Sequence, residues 1–180
     1  MMRRLLGLLL VVGVPLFGAI PDSYMLKDKE YLVKVLVDDV LFGSLAEIDL
    51  DHHPFQFFSQ NEEPLTYVKR TGHVNGNDEY EVYTQDKEYL GKLIKSGTRS
   101  YKTYSRDNHL QFKIHLNVWQ TEFRILAPHT NHEAATIHAG GVFSHDWEFK
   151  VKDRDLVDSK DLDENFWFTV TAMLVRMADY

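Results

Sequence analysis

The chain predicts an all-β domain with one helix, its sheet wrapped into a barrel around that helix. Residues 163–180 (DENFWFTVTAMLVRMADY) read as a helix apolar on every side, so other elements must enclose it. The residues ahead of it alternate like short strands, from Glu79-Tyr-Glu-Val-Tyr83 to Asp146-Trp-Glu-Phe-Lys-Val151, and a strand-rich chain encloses a helix by wrapping its sheet. Nine Tyr, eleven Phe and three Trp add the aromatic bias of strands. At 180 residues the chain has the size of one domain.

Residues 1–19 read as a leader. Arg3-Arg4 precede an apolar run from Leu5 to Ile20, the charged start and apolar middle of a secretory signal peptide. Gly13 and Pro15 interrupt it, and it falls short of the roughly 20 apolar residues a spanning helix needs, so export is expected over anchoring. Cleavage after Ala19 leaves Phe17 where a small residue is preferred, which makes an uncleaved membrane anchor the alternative. The domain is then residues 20–180.

Pro21-Asp22-Ser23 is a connector, and Tyr31 to Val37 is the first expected strand. Asp38-Asp39 is a turn; Val40 to Ile48 fits strand or short helix equally. Asp49 to Pro54 is a loop, Phe55 to Phe58 a strand ended by Asn61-Glu-Glu-Pro64, and Leu65 to Arg70 the next strand. Asn75-Gly76 is the tightest turn signal, since both residues accept positive φ. Further turns are expected at Gln85-Asp86, Ser96-Gly97, Arg106-Asp-Asn108, Pro128-His-Thr-Asn131, Gly140-Gly141 and Asp153-Arg-Asp155. Between them lie strands 88–95, 99–105, 110–116, 119–127, 134–138 and 146–152, which brings the count to about ten. Asp161 as cap with Glu164 three residues on opens the terminal helix. Its apolar run is about 13 residues, roughly 20 Å at the helical rise, and contains Arg176, which favours a core helix over a membrane span.

Charge and composition exclude several functions. A formal charge of −7, falling to −9 if Arg3 and Arg4 leave with the leader, lacks the basic surface that nucleic-acid binding requires, and membrane contact is expected only through the leader. Lys92, Lys95, Arg99 and Lys102 form one basic cluster, read as a solvated hairpin. Cysteine is absent, which removes thiol catalysis and thiolate metal sites. No Asn-x-Ser/Thr triplet occurs, so N-glycosylation is not expected.

Three features resemble the LURP-one-related family of the Tubby C-terminal-like superfamily, which includes the phospholipid scramblases. They are the terminal apolar helix, the strand Asp146-Trp-Glu-Phe-Lys-Val151, and the unit from Phe123-Arg-Ile-Leu126 through Ala134-Ala-Thr-Ile-His-Ala139 with its aromatic turn Val142-Phe143-Ser144. The resemblance spans about residues 79–180, and 31–70 more loosely. It implies a closed barrel of about twelve antiparallel strands threaded by the terminal helix, and no catalytic set. Where relatives carry Asp-x-x-Gly in the central turn, this chain has Ala127-Pro-His-Thr-Asn-His132. The family's phosphoinositide-binding basic residues have no match here.

The remaining motifs read as structural. His129, His132 and His138 are candidate metal ligands by residue type, but a strand-turn-strand gives them no common face, so no metal or other cofactor is expected. Asp38-Asp39, Glu62-Glu63 and Asp161/Asp163 sit in turns or caps, where carboxylates are structural rather than hydrolytic. Ser144-His145-Asp146 are adjacent in sequence, whereas a triad is assembled from separate loops. Tyr80, Tyr83, Tyr89, Tyr101 and Tyr104 are expected to stack across strands. The resulting expectation is a secreted or membrane-tethered, non-enzymatic barrel that binds or scaffolds a protein or lipid surface. A lipocalin-like carrier of a small apolar ligand is the alternative, although the chain lacks the Gly-x-Trp of such carriers. A hydrolase has no residue set behind it.

Overall fold

A computed structural model describes residues 19–48, 54–74, 77–141 and 144–178, except the side chains of 73 and 74. Its strands are β1 (Ser23–Lys29), β2 (Leu32–Val37), β3 (Val40–Glu47), β4 (Phe55–Ser59), β5 (Pro64–Val74), β6 (Asn77–Thr84), β7 (Tyr89–Gly97), β8 (Ser100–Ser105), β9 (Leu110–Leu116), β10 (Glu122–Leu126), β11 (Glu133–Ala139) and β12 (Asp146–Val151). They form an up-and-down antiparallel barrel closed by pairing of β1 with β12, Leu26 opposite Trp147. Closure leaves no strand edge exposed. A short helix α1 (Arg154–Asp158) leads into α2 (Glu164–Ala178). No described helix is long and apolar enough to cross a membrane, which says nothing of crossing by strands.

Period-two alternation fills the bore. Leu26, Val35, Leu45, Phe57, Val82, Leu93, Phe112, Ile125 and Phe149 are buried and point inward, while their strand neighbours face out. α2 is buried from Phe166 through Val175 against this wall. Its rings meet wall rings on several sides: Trp167 lies 5.5 Å from Phe112 and 6.0 Å from Phe149, and Phe168 lies 4.5 Å from Phe42 and 4.9 Å from Tyr24. Each large apolar side chain so buried contributes about 2 kcal/mol. Register shifts at Val35/Leu36, Phe57/Phe58 and Thr103/Tyr104, among others, are β-bulges that give the sheet the curvature to close.

Several expectations need correction. The fold starts earlier than Tyr31: β1 was hidden because its third inward position is Asp28, so its alternation is not purely apolar. With β1, the twelve strands exceed the ten counted. Residues 40–47 are a strand, β3. Ser96-Gly97 is a bulge at the end of β7, and the turn follows at Thr98-Arg99. Trp119 precedes β10 instead of opening it. Asp153 caps α1, its carboxylate accepting from the Leu156 N–H at 3.1 Å, where only a turn was foreseen. The cap of α2 is Asp163, which accepts from the Phe166 N–H at 2.9 Å, and not Asp161. The leader up to residue 18, His52-His53, Asn75-Gly76 and Val142-Phe143 lie outside the described residues.

Four of the turns between strands share one construction. In 59–63, 84–88 and 105–109 the fourth residue (Glu62, Lys87, Asn108) has φ of 62°, 68° and 61°, and its N–H bonds the first residue's carbonyl. The first side chain, Ser59, Thr84 or Ser105, accepts from the N–H of the fifth. The turn after β9 repeats this with Asn117, Gln120 (φ 55°) and the Thr121 N–H. A left-handed residue at that position reverses the chain with the strands' own twist. At Val37–Val40 the same end is met by Asp38 and Asp39, both left-handed, in a two-residue turn.

Candidate functional site

The bore is occupied by protein; Thr169, Thr171, Tyr24 and Thr66 pair with one another or with the helix backbone, while the Thr103 hydroxyl and the Trp167 indole N–H are buried with no partner among the described residues. Thr171 donates to the Trp167 carbonyl at 3.0 Å and accepts from the Tyr24 hydroxyl at 3.0 Å. Thr169 donates to the Asn165 carbonyl at 2.6 Å, so in its 2.8 Å contact with Thr66 the Thr66 hydroxyl is the donor. Burial raises the Tyr24 phenol far above its ordinary pKa, and it stays neutral.

One mouth of the barrel, where α2 enters, carries a groove of about 600 Å³ between the β8–β9 turn and the linker 159–163. Arg106 on its lip pairs with Glu88 at 2.9 Å. Gln111 on its wall is 5% exposed, donates weakly to the Lys160 carbonyl at 3.5 Å, and leaves Oε1 without a partner among the described residues. Ser105 and His109 both line the groove, but the hydroxyl accepts from the backbone N–H of His109, not its ring. Beside it, Glu164 buries an Oε1 that has no partner among the described residues, and burial together with the neighbouring Asp163 carboxylate pushes its pKa up to about 7.

At the opposite mouth, Arg176 reaches from the last turn of α2 to Asp28 at 3.3 Å and Glu47 at 3.1 Å, and donates to the Glu30 carbonyl at 2.9 Å. Val118 and Trp119 stand in the turn after β9 at this mouth, 72% and 77% exposed. That turn is ordered by paired Asn117–Thr121 hydrogen bonds of 2.9 and 3.0 Å.

The predicted residues do not gather at one place. His132 lies in the turn after β10, 3.3 Å from Asp153, whereas His138 is near the far end of β11, six residues or roughly 20 Å along the strand. His129 stands in the same turn as His132. Among the described residues no group of three His, Asp or Glu is placed to hold a metal ion. Asp38, Asp39 and Glu62 take left-handed turn positions. The Ser144 hydroxyl bonds the backbone of Asp146 rather than His145. The tyrosines divide: Tyr80 and Tyr101 enter the bore, while Tyr83 and Tyr89 join Tyr67 in an outer-face stack with centroids 5.3 and 5.5 Å apart. Tyr83 donates to Glu81 at 2.7 Å, which holds its phenol protonated, and burial with Glu81 and Glu79 pushes Tyr89 up to about 12.

The basic cluster is also regrouped. Lys92 is bound to Glu79 at 2.8 Å, but Lys102 faces outward directly opposite Lys113 of β9. Lys113 was not part of the sequence cluster because it lies on the next strand, eleven residues on, and only hairpin register sets the two residues opposite each other.

In fold, the chain is similar to the X-ray structure of a protein from Arabidopsis thaliana, with a TM-score of 0.57 at 10% identity over 87% of this chain and 89% of that one. At that identity the likeness concerns the barrel alone. No known family and no curated protein matches the chain in sequence.

Proposed function

We propose that the chain is a non-enzymatic β-barrel domain of the LURP-one-related, Tubby C-terminal-like type that acts in binding or scaffolding. Residues 1–19 would direct it to secretion or hold it at a membrane. The observation that carries this reading is the filling of the bore: Phe166 through Val175 of α2 are buried against the inward faces of the strands. A barrel packed in this way binds through its exterior. The twelve-stranded closure and the likeness to the Arabidopsis barrel support the family resemblance at the level of fold. Titration with a fluorescent fatty acid tests the reading. No saturable uptake is expected, and one-to-one internal binding would favour a lipocalin-like carrier instead.

A further inference from the structure

Lys102 and Lys113 are cross-strand partners on the outer wall, with Cβ atoms roughly 5 Å apart. Like charges so placed destabilise a sheet. Among the described residues neither amine has a carboxylate within ion-pair distance, although the chain carries 27 Asp and Glu against 20 Lys and Arg. The pair is flanked by Ile94 and Leu126, its lateral partners in register. Towards the mouth the same face continues with His115, and the Arg99 carbonyl accepts from the Leu116 N–H at 2.9 Å. The exposed turn with Val118 and Trp119 follows directly. From Lys113 to Trp119 is six residues, so the stripe runs roughly 15–20 Å down the wall.

We infer that this stripe is the docking site for an extended acidic segment of a protein partner: Lys102, Lys113 and Arg99 take its carboxylates, and Trp119 with Val118 takes one apolar side chain. The inference rests on the external-binding reading above. Charge complementarity argues for it, since the lysine pair lacks its own counter-charge in an acidic chain. The closed barrel offers no edge to which a strand can be added, so a segment must be read by side chains. The lysines face sideways from the wall rather than beyond the rim, which suits a chain lying along the strands better than a flat surface below the mouth. The turn that carries Trp119 is ordered by the Asn117–Thr121 bonds, so docking has only the indole side chain to order there.

The test is fluorescence anisotropy of a labelled peptide of about eight residues, glutamates around one phenylalanine, titrated with the full chain. Saturable binding is expected, weakening as salt is raised. Lys102→Gln/Lys113→Gln and Trp119→Ala should each weaken it about fivefold or more. Lys113→Glu gives a sharper outcome: by turning repulsion into a cross-strand ion pair it should raise the melting temperature while lowering affinity. Several results would overturn the inference: no binding, equal binding of a glutamine version of the peptide, unchanged affinity in the variants, or tighter binding of phosphatidylserine vesicles or a single-stranded oligonucleotide. None of these bears on whether the bore takes a fatty acid, so the two readings fail separately.

Discussion

Glu164 sits at the first position of α2, where the helix dipole favours a carboxylate, yet its pKa is raised to about 7. Desolvation outweighs the dipole because one oxygen is buried with no partner among the described residues. In the unfolded chain the group titrates near the ordinary value, so the folded state holds the extra proton between about pH 4.5 and 7. Stability therefore falls as pH rises through that window. Because the group remains partly solvated, the loss is on the order of 1 kcal/mol rather than the full shift. Glu164→Gln should match the parent near pH 5 and exceed it by about 1 kcal/mol at pH 8, as read by thermal melts at the two pH values. The sequence pointed to Asp161 and Glu164 as a reciprocal cap. It could not show that Asp163 takes the cap and leaves Glu164 against the barrel mouth, because linker geometry decides that.

At the scale of the element, the hairpins show what local sequence does and does not reveal. Alternation located β9 to the residue, because inward Phe112, Ile114 and Leu116 are separated by outward Lys113 and His115. β1 and α1 escaped notice for opposite reasons: in one a charged residue faces inward, and in the other an aspartate cap looks like a turn. The shared turn construction was present in the residues as Ser or Thr followed four positions later by Glu or His. Its left-handed fourth residue was not legible, since Glu and Lys rarely take that conformation. Glu62 and Lys87 each carry backbone strain of about 1 kcal/mol, which Asn108 largely escapes. Lys87→Gly should thus stabilise the protein by roughly 0.5–1 kcal/mol, measured by denaturant midpoint at constant m-value. Gly91 behaves oppositely: φ is 154°, and an added Cβ would lie 2.5 Å from the Tyr104 carbonyl oxygen and 2.9 Å from the Phe166 ring. Gly91→Ala should cost about 2 kcal/mol or more, measured the same way.

For the whole molecule, the enclosed helix was readable from sequence because ten apolar positions covering every direction leave no solvated face. The stripe of Lys102, Lys113 and Trp119 was not, because it depends on register across strands. Arg176 shows both sides of this. In the sequence it argued against a membrane span; in the fold its side chain, 12% exposed, binds Asp28, which is 3% exposed and 148 residues away. Removing one partner leaves a buried charge uncompensated, so Arg176→Met should cost about 3 kcal/mol, and Arg176→Met/Asp28→Leu less than the two single changes summed, in a double-mutant cycle by chemical denaturation. The arrangement also dictates when the protein can fold. The first strand closes against the twelfth, and the helix that fills the bore comes later still, so no nascent segment short of about residue 175 contains both wall and filling. Folding must wait for nearly the whole described chain to be synthesised, with the slow search that long-range pairing entails. Until then the emerging polypeptide lacks the closed wall and the packed bore, the two features that would stop it from being drawn through a narrow pore.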